Sequence, residues 1–344
     1  SFLAMVTVFW VTYRNSPRQV MENEPMRLTH IDFSVPENRQ NISDFSDRFS
    51  GFDLALERSG VLQKGVALPD ETALDLAIAT MRQLHIQQGL ELSTIDGLVF
   101  ITQTQDLQLP GNAFLLLQRL GMTHDVLTYD VNQGCAGFNY GLHLAESMLV
   151  ANQATRVCVI CSDTYSKLLA PDDRGTNLLF GDGCAAAIVD LGDVGTKIEK
   201  TKVRQLSQHA DLFVAEGSNA REDFNGERPY LKMDGAGLLM VLTSQAPDFL
   251  NSFLAKVKRS ASDIDLFICH QASKVALDRV QDLMGLPDDK MFRNLEMHGN
   301  TTSASLPIAL AEALENPKYA GAKNILCFGF GVGFSMSASW MCRD

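Results

Sequence analysis

Hydrophobic and polar positions along this chain repeat with two different periods, and the switches between them mark out strands and helices. Leu28–Val35 alternates like a half-buried strand. The apolar runs within Ser93–Gln103, Arg156–Ser162 and Cys184–Asp190 are short and bounded, as buried strands are. Helical spacing takes over between them. Glu71–Gly89 places Leu74, Leu76, Ala77, Met81 and Leu84 on an inward face, and Asn112–Leu120 reads as a short helix. This alternation predicts an α/β fold with a largely parallel sheet.

The stretch Val126–Leu149 organises the rest. Up to Val131 it alternates and is β-branched; beyond, Tyr140, Leu144 and Met148, flanked by Ala136 and Leu149, recur at helical spacing. Cys135 sits at the turn between strand and helix. Free N–H groups and the positive dipole end at a helix N-terminus favour an anion. The thiol pKa is therefore expected to drop from about 8.5 into or below the neutral range. Taken alone, Cys135 also reads as a buried structural cysteine.

The second half repeats the first. Ser93-Thr-Ile-Asp96 before one apolar strand recurs as Ser262-Asp-Ile-Asp265 before Leu266–Cys269. Ile95 to Val157 spans 62 residues and Ile264 to Ile325 spans 61; Ile95 to Cys135 spans 40 and Ile264 to Asn300 spans 36. Duplicated α/β halves with a pseudo-twofold axis are expected, over residues 26–198 and 199–344. Loops at corresponding strand ends converge in such a layout. His270 ends one of these strands and Asn300 opens one of the following helices, so both are expected to face Cys135. Each has a plainer reading alone: a satisfied core histidine, and a helix N-cap. The irregular Gln205–Glu227 is expected to join the halves and to carry part of a substrate mouth.

Residues 1–25 form an extension of unknown role. Its apolar part, Phe2–Tyr13, is shorter than the about 20 residues a bilayer span needs. It lacks the basic n-region and cleavage site of a signal peptide and reads as an extra strand or packed arm.

Composition narrows the function. With 344 residues, 46% of them hydrophobic, the chain is long enough for two fused halves. A net charge of −12 and a pI near 5.0 argue against nucleic acid or an anionic membrane as partner. Seven cysteines, an odd count without a disulfide pattern, point to a reducing, cytoplasmic setting. Cys158-Val-Ile-Cys161 lies in an apolar run with no second pair to complete a zinc site, so both read as buried strand cysteines. Gly329-x-Gly-x-Gly333 is followed by the alternating Ser335–Trp340, so no helix awaits a pyrophosphate. No metal and no cofactor is expected.

Four motifs come in a telling order: Gly134-Cys-Ala-Gly137, His270-Gln-Ala-Ser273, His298-Gly-Asn-Thr-Thr-Ser-Ala-Ser305 and Gly329-Phe-Gly-Val-Gly-Phe334. Together with Asp172-Asp-Arg-Gly175 and Phe180-Gly-Asp-Gly183 they resemble the β-ketoacyl-acyl carrier protein synthase III family of the thiolase fold. The resemblance runs over about residues 26–344. It implies an α-β-α-β-α layered fold, a homodimer, and acyl-coenzyme A or acyl carrier protein thioesters as substrates. It implies that Cys135 takes an acyl group from a thioester. Backbone N–H groups of Cys135 and Val332 would hold the oxyanion. His270 and Asn300 would donate to the carbonyl of a malonyl thioester, stabilising the enolate formed as carbon dioxide leaves.

By the same matching, Arg58, Arg174, Ser273 and Leu109 are the substrate-binding positions. Leu54 stands where the family usually has a tryptophan at the coenzyme A entrance, and Ser273 where it has asparagine. The helix after Ser273 carries Asp278 and Asp282, with Asp288 and Asp289 beyond it, against Lys274, Arg279 and Lys290, a poor face for an acidic carrier. Leu109 replaces a phenylalanine in a loop that closes the partner's acyl pocket, or else packs locally. These departures imply a specialised primer longer than acetyl. Two alternatives stay open: transfer of the acyl group to a hydroxyl or amine without decarboxylation, and a non-catalytic subunit of a heterodimer. Degradative thiolase chemistry, which uses a second cysteine in a Cys-x-Gly loop near the C-terminus, is disfavoured: Cys327-Phe-Gly329 has those letters but falls in the expected strand Ile325–Phe328, and no glycine follows Cys342.

Overall fold

The structure, a computed structural model, describes residues 24–216 and 230–343. All but the last two residues of the expected extension, and residues 217–227 of the irregular segment, lie outside the described residues. In chain order the first half holds β1 (Met26–Ser34), β2 (Arg39–Asn41), α1 (Phe52–Ser59), β3 (Gln63–Gly65) and α2 (Ala73–Gln88). It continues with β4 (Gly97–Ile101), α3 (Asn112–Leu120), β5 (Leu127–Val131), α4 (Gly137–Val150), β6 (Arg156–Asp163), α5 (Arg174–Asn177) and β7 (Gly183–Leu191). After β8 (Thr196–Gln205), β9 (Phe213–Ala215) and β10 (Leu231–Met233) come α6 (Gly235–Lys256), β11 (Leu266–Cys269) and α7 (Lys274–Met284). The chain closes with β12 (Met291–Phe292), α8 (Leu295–His298), α9 (Ser305–Glu315), β13 (Asn324–Gly331) and β14 (Ser335–Cys342).

Local chemistry fixes the ends of these elements. Thr72 and Asp75 form a capping box at the start of α2, each side chain taking the other's backbone N–H. Gly89, Gly121 and Gly285 end α2, α3 and α7 in the left-handed conformation.

Ten strands form one sheet in the order β12-β11-β13-β14-β8-β1-β7-β6-β4-β5. Reading inward from both edges, the halves match. β4 runs parallel to β5 and β6, and β11 parallel to β12 and β13. Each third strand then pairs antiparallel with its successor, β6 with β7 and β13 with β14. The halves meet where β1 pairs β8, so the division expected after residue 198 falls inside a strand. The sheet is mixed, not largely parallel. The returning strands are as buried as the parallel ones, so their letters carry no mark of direction.

Strand side chains alternate between faces, and this sorts the core into layers. Leu98 and Phe100 of β4 pack under α2 and α3, while Val99 and Ile101 face α4. Leu266 and Ile268 of β11 join the α4 and α9 layer; Phe267 and Cys269 pack under α6 and α7. Helices and strands therefore stack α-β-α-β-α, with α4 and α9 innermost. Cys158 and Cys161 fall in different layers, so the pair forms no joint site.

The inner position of α4 changes its expected stripe. Phe138, Leu142, Ala145, Met148 and Leu149 are its buried apolar residues, whereas Tyr140 and Leu144 are half-buried. A helix packed between two sheet layers lacks a single apolar side, which blurs the period. Leu142 is fully buried. Leu142→Ala is expected to lower the unfolding free energy by about 2–5 kcal/mol, read from urea unfolding monitored by circular dichroism.

Candidate active site

A cavity of about 720 Å³ opens at the surface near Gly51, Leu54, Arg58 and Arg174 and ends at Cys135, His270 and Asn300. Its walls are apolar, with Leu178, Phe213, Leu239 and Leu242 among them. The three predicted catalytic side chains thus line one space, as do Val332, Arg58, Arg174 and Ser273. Leu109 does not; it stands 84% exposed on the surface. That exposure argues against local packing of Leu109.

Cys135 is presented by the turn between β5 and α4. The β13–β14 hairpin folds over it so closely that a Cβ on Gly331 would sit 2.7 Å from the Cys135 Cβ and 3.0 Å from its Sγ. Only glycine permits that approach. The approach also brings Val332 beside the thiol, and the backbone N–H groups of Cys135 and Val332 both act to lower its pKa. These are the two groups that the resemblance assigns to the oxyanion hole.

The thiol does not have the lowered pKa expected of a helix N-terminus. Burial, reinforced by the nearby Asp163 carboxylate, pushes it up to about 12, against the pull of the two N–H groups. Loss of water costs the thiolate more than two dipoles return. The resting group is a neutral thiol.

His270 ends β11 and is 1% exposed. Burial lowers its pKa to about 3, so the imidazole is neutral near pH 7. Its Nδ1 lies 2.5 Å from the Ser305 hydroxyl, which also accepts the Gln271 N–H at 3.2 Å. When the hydroxyl donates its proton to Nδ1, the ring proton resides on Nε2. The ring stands edge-on to Phe330 with centroids 5.4 Å apart.

Asn300 is held by its backbone in a parallel bridge with Phe180. Its Oδ1 accepts the Thr302 N–H at 2.9 Å, and its Nδ2 donates to the Ala272 carbonyl at 3.3 Å. The amide has two N–H bonds, so one more donor is available toward the cavity. Asn300 is not the helix N-cap of its plainer reading: the short 3-10 helix Thr302–Ala304 is capped at Thr301 and α9 at Ala304.

The expected substrate contacts are partly engaged elsewhere. Ser273 Oγ caps α7 by accepting the Ala276 N–H at 3.2 Å. Arg174 donates through Nη1 to the Ser50 carbonyl.

Two supporting residues escaped sequence reasoning. Ser305 closes a quoted motif, but its contact with His270 crosses 35 positions. Asp163, fully buried at the end of β6, accepts from the Gln103 N–H at 2.7 Å, Thr302 Oγ1 at 2.7 Å and Ser303 Oγ at 2.5 Å. Thr302 has φ +51°, unfavourable for a β-branched residue, and its hydroxyl bond to Asp163 holds it there. No local pattern marks such an aspartate. Among the described residues no group of three or more His, Cys, Asp or Glu could hold a metal ion, and no helix is long and apolar enough to cross a membrane.

Comparison with known proteins places this geometry in context. Residues 129–206 match the family model described as 3-oxoacyl-[acyl-carrier-protein (ACP)] synthase III, and residues 254–341 match its C-terminal counterpart. A β-ketoacyl-[acyl-carrier-protein] synthase III from Clostridium perfringens is 31% identical over 286 residues, spanning 82% of this chain and 88% of that protein. One from Neisseria meningitidis is 29% identical over 305 residues, spanning 88% and 95%. The crystal structure of 3-oxoacyl-(acyl carrier protein) synthase III from Pseudomonas aeruginosa PAO1 superposes with a TM-score of 0.84 at 28% identity, covering 92% of this chain and 98% of that one.

A neutral buried thiol has a measurable signature. Alkylation of Cys135 by iodoacetamide, followed by intact mass, is expected to accelerate about tenfold per pH unit through the neutral and mildly alkaline range; a plateau near neutrality would indicate a lowered pKa instead. Gly331→Ala, whose methyl would meet the sulfur, is expected to slow that alkylation about 100-fold.

Proposed function

The chain belongs to the 3-oxoacyl-[acyl-carrier-protein] synthase III family and is an acyl-transferring synthase, and from that we propose that its Cys135, His270 and Asn300 catalyse a decarboxylative Claisen condensation. The observation that carries this reading is the convergence of all three side chains on one cavity, with the β13–β14 hairpin pressed against the sulfur.

In the first half-reaction Cys135 Sγ attacks the carbonyl carbon of an acyl thioester. The N–H groups of Cys135 and Val332 take the charge of the tetrahedral oxyanion, the donor's C–S bond breaks, and the thiol proton ends on the departing thiol. In the second, a malonyl thioester enters the same cavity. The bond between its α-carbon and carboxylate breaks, carbon dioxide leaves, and the electron pair stays as an enolate. His270 Nε2–H and the available Asn300 N–H stabilise the enolate oxygen. Both donors are neutral, so neither quenches the carbanion with a full proton; the imidazole, with a pKa near 3, is a poor acid-base partner at neutral pH but a good hydrogen-bond donor. The α-carbon then attacks the acyl-cysteine carbonyl, a C–C bond forms, and Cys135 is released, regaining a proton from solvent.

Coenzyme A delivery is favoured over delivery by an acidic carrier. At the head of α7, Lys274 pairs with Asp278 at 2.7 Å and Arg293 pairs with the same carboxylate at 2.5 Å, so these cations are already spoken for. A homodimer is supported by β5, which forms a sheet edge, and by the exposed Leu107, Leu109, Phe114 and Tyr129 around it. On that face Leu109 would enter the second copy's acyl pocket, and its size relative to phenylalanine favours a primer longer than acetyl. Work in a reducing compartment of the cell fits the seven free cysteines.

Asn300→Ala is expected to cut carbon dioxide release from a malonyl thioester by about 100- to 1000-fold, while Cys135 is still acylated. Full turnover in that variant would favour acyl transfer to a hydroxyl or amine. A chain that no acyl thioester modifies would favour a non-catalytic subunit.

A further inference from the structure

One buried cation has no part in the chemistry above. Lys64, in β3, is 1% exposed. Its Nζ donates to the carbonyls of Asn177 at 2.6 Å and Phe180 at 2.8 Å. These two carbonyls bracket the segment that grips Asn300 from both sides. The Asn300 N–H donates to the Leu179 carbonyl at 2.9 Å, and its carbonyl accepts the Gly181 N–H at 3.1 Å. The lysine stem seats the same turn from below. Gly299 has φ +67°, and a Cβ there would lie 2.7 Å from the Leu179 oxygen and 3.4 Å from the Lys64 Cβ.

We propose that Lys64 is a positioning residue: its ammonium clamps the 177–181 segment whose backbone aims the Asn300 carboxamide, so it governs carbanion formation and leaves acylation of Cys135 untouched. The inference rests on the reading of Asn300 as a donor to the malonyl carbonyl. Cys135 and the two N–H groups beside it belong to different elements, the β5–α4 turn and the β13–β14 hairpin.

The charge on this clamp is marginal. Burial lowers the Lys64 pKa to about 8, with Asp182 pulling it back. Asp182 is itself tied to Ala67 N–H at 2.7 Å and Ser166 N–H at 2.8 Å, and the Phe45 ring lies 5.8 Å from the ammonium. In the neighbouring strand Arg39 donates to the Met297 carbonyl, and on the other flank His298 is paired with Glu312 at 2.8 Å. Bonds from an ammonium to carbonyls are roughly twice as strong as those from an amine. Raising the pH through about 8 removes that proton and loosens the clamp. Thiol attack by Cys135, with a pKa near 12, accelerates over the same range. The two half-reactions should therefore diverge.

The test measures carbon dioxide release from malonyl-coenzyme A and acylation of Cys135 by acyl-coenzyme A, each against pH, in wild type, Lys64→Met and Lys64→Arg. Wild-type decarboxylation is expected to fall above about pH 8 while acylation rises. Lys64→Met is expected to lose about 100-fold in decarboxylation with acylation unchanged. Lys64→Arg, which stays charged, is expected to keep decarboxylation and to lose the fall above neutrality. If Lys64→Met does not fold, the wild-type and Lys64→Arg profiles still decide. Equal loss of both half-reactions, no loss of either, or the same pH profile in wild type and Lys64→Arg would overturn the proposal. A wild-type protein that is acylated but releases no carbon dioxide would remove the reading of Asn300, and this inference with it.

Discussion

The approach of the β13–β14 hairpin to Cys135 is the constraint on which the rest of the site depends. The Val332 backbone comes beside the sulfur only because Gly331 has no side chain and the hairpin can press against the turn. A hairpin that must come this close needs a rigid base. β13 and β14 pair along their whole length, and Asn139 of α4 bonds Ser337 Oγ at 3.2 Å and accepts Ser339 Oγ at 2.8 Å. The helix that follows the nucleophile is thus bolted to the strand that follows the oxyanion donors. The pseudo-twofold duplication makes this economical, because equivalent strand ends from both halves open at one place.

Burial then sets the protonation of everything at the floor. It holds Cys135 as a thiol and His270 as a neutral imidazole, with pKa values displaced in opposite directions by the same loss of water. A site built this way has no standing charge on its nucleophile. Its reactivity comes from donors arranged to meet charge only as it forms, which is where preorganised dipoles contribute most. The fully buried carboxylate of Asp163 faces the segment after Asn300, where hydroxyls of Thr302 and Ser303 stabilise it.

Much of this was legible in the letters. The order of strands and helices, the inward residues of α2 and the bounds of α3 follow from periodicity, because those elements have one wet side. The duplication was visible as repeated spacings. What escaped is tertiary. Periodicity misplaces the stripe on α4 because that helix is packed from two sides, and it suggests a largely parallel sheet because returning strands are equally apolar. A helix terminus, visible in sequence, points the Cys135 pKa downward; the depth of burial that raises it is not visible there. Asp163 and Ser305 touch the site from far along the chain, in short polar stretches indistinguishable from any strand end or turn.

The central claim is that Cys135 carries an acyl group which a carbanion then removes. The most direct measurement is intact mass spectrometry with peptide mapping, first after incubation with acyl-coenzyme A thioesters of graded chain length and then after addition of a malonyl thioester. The account predicts a mass increase equal to the acyl group on the Cys135 peptide, discharged when the malonyl thioester is added, with release of carbon dioxide and a 3-oxoacyl thioester. An adduct on another residue, or one that the malonyl thioester leaves in place, would contradict it.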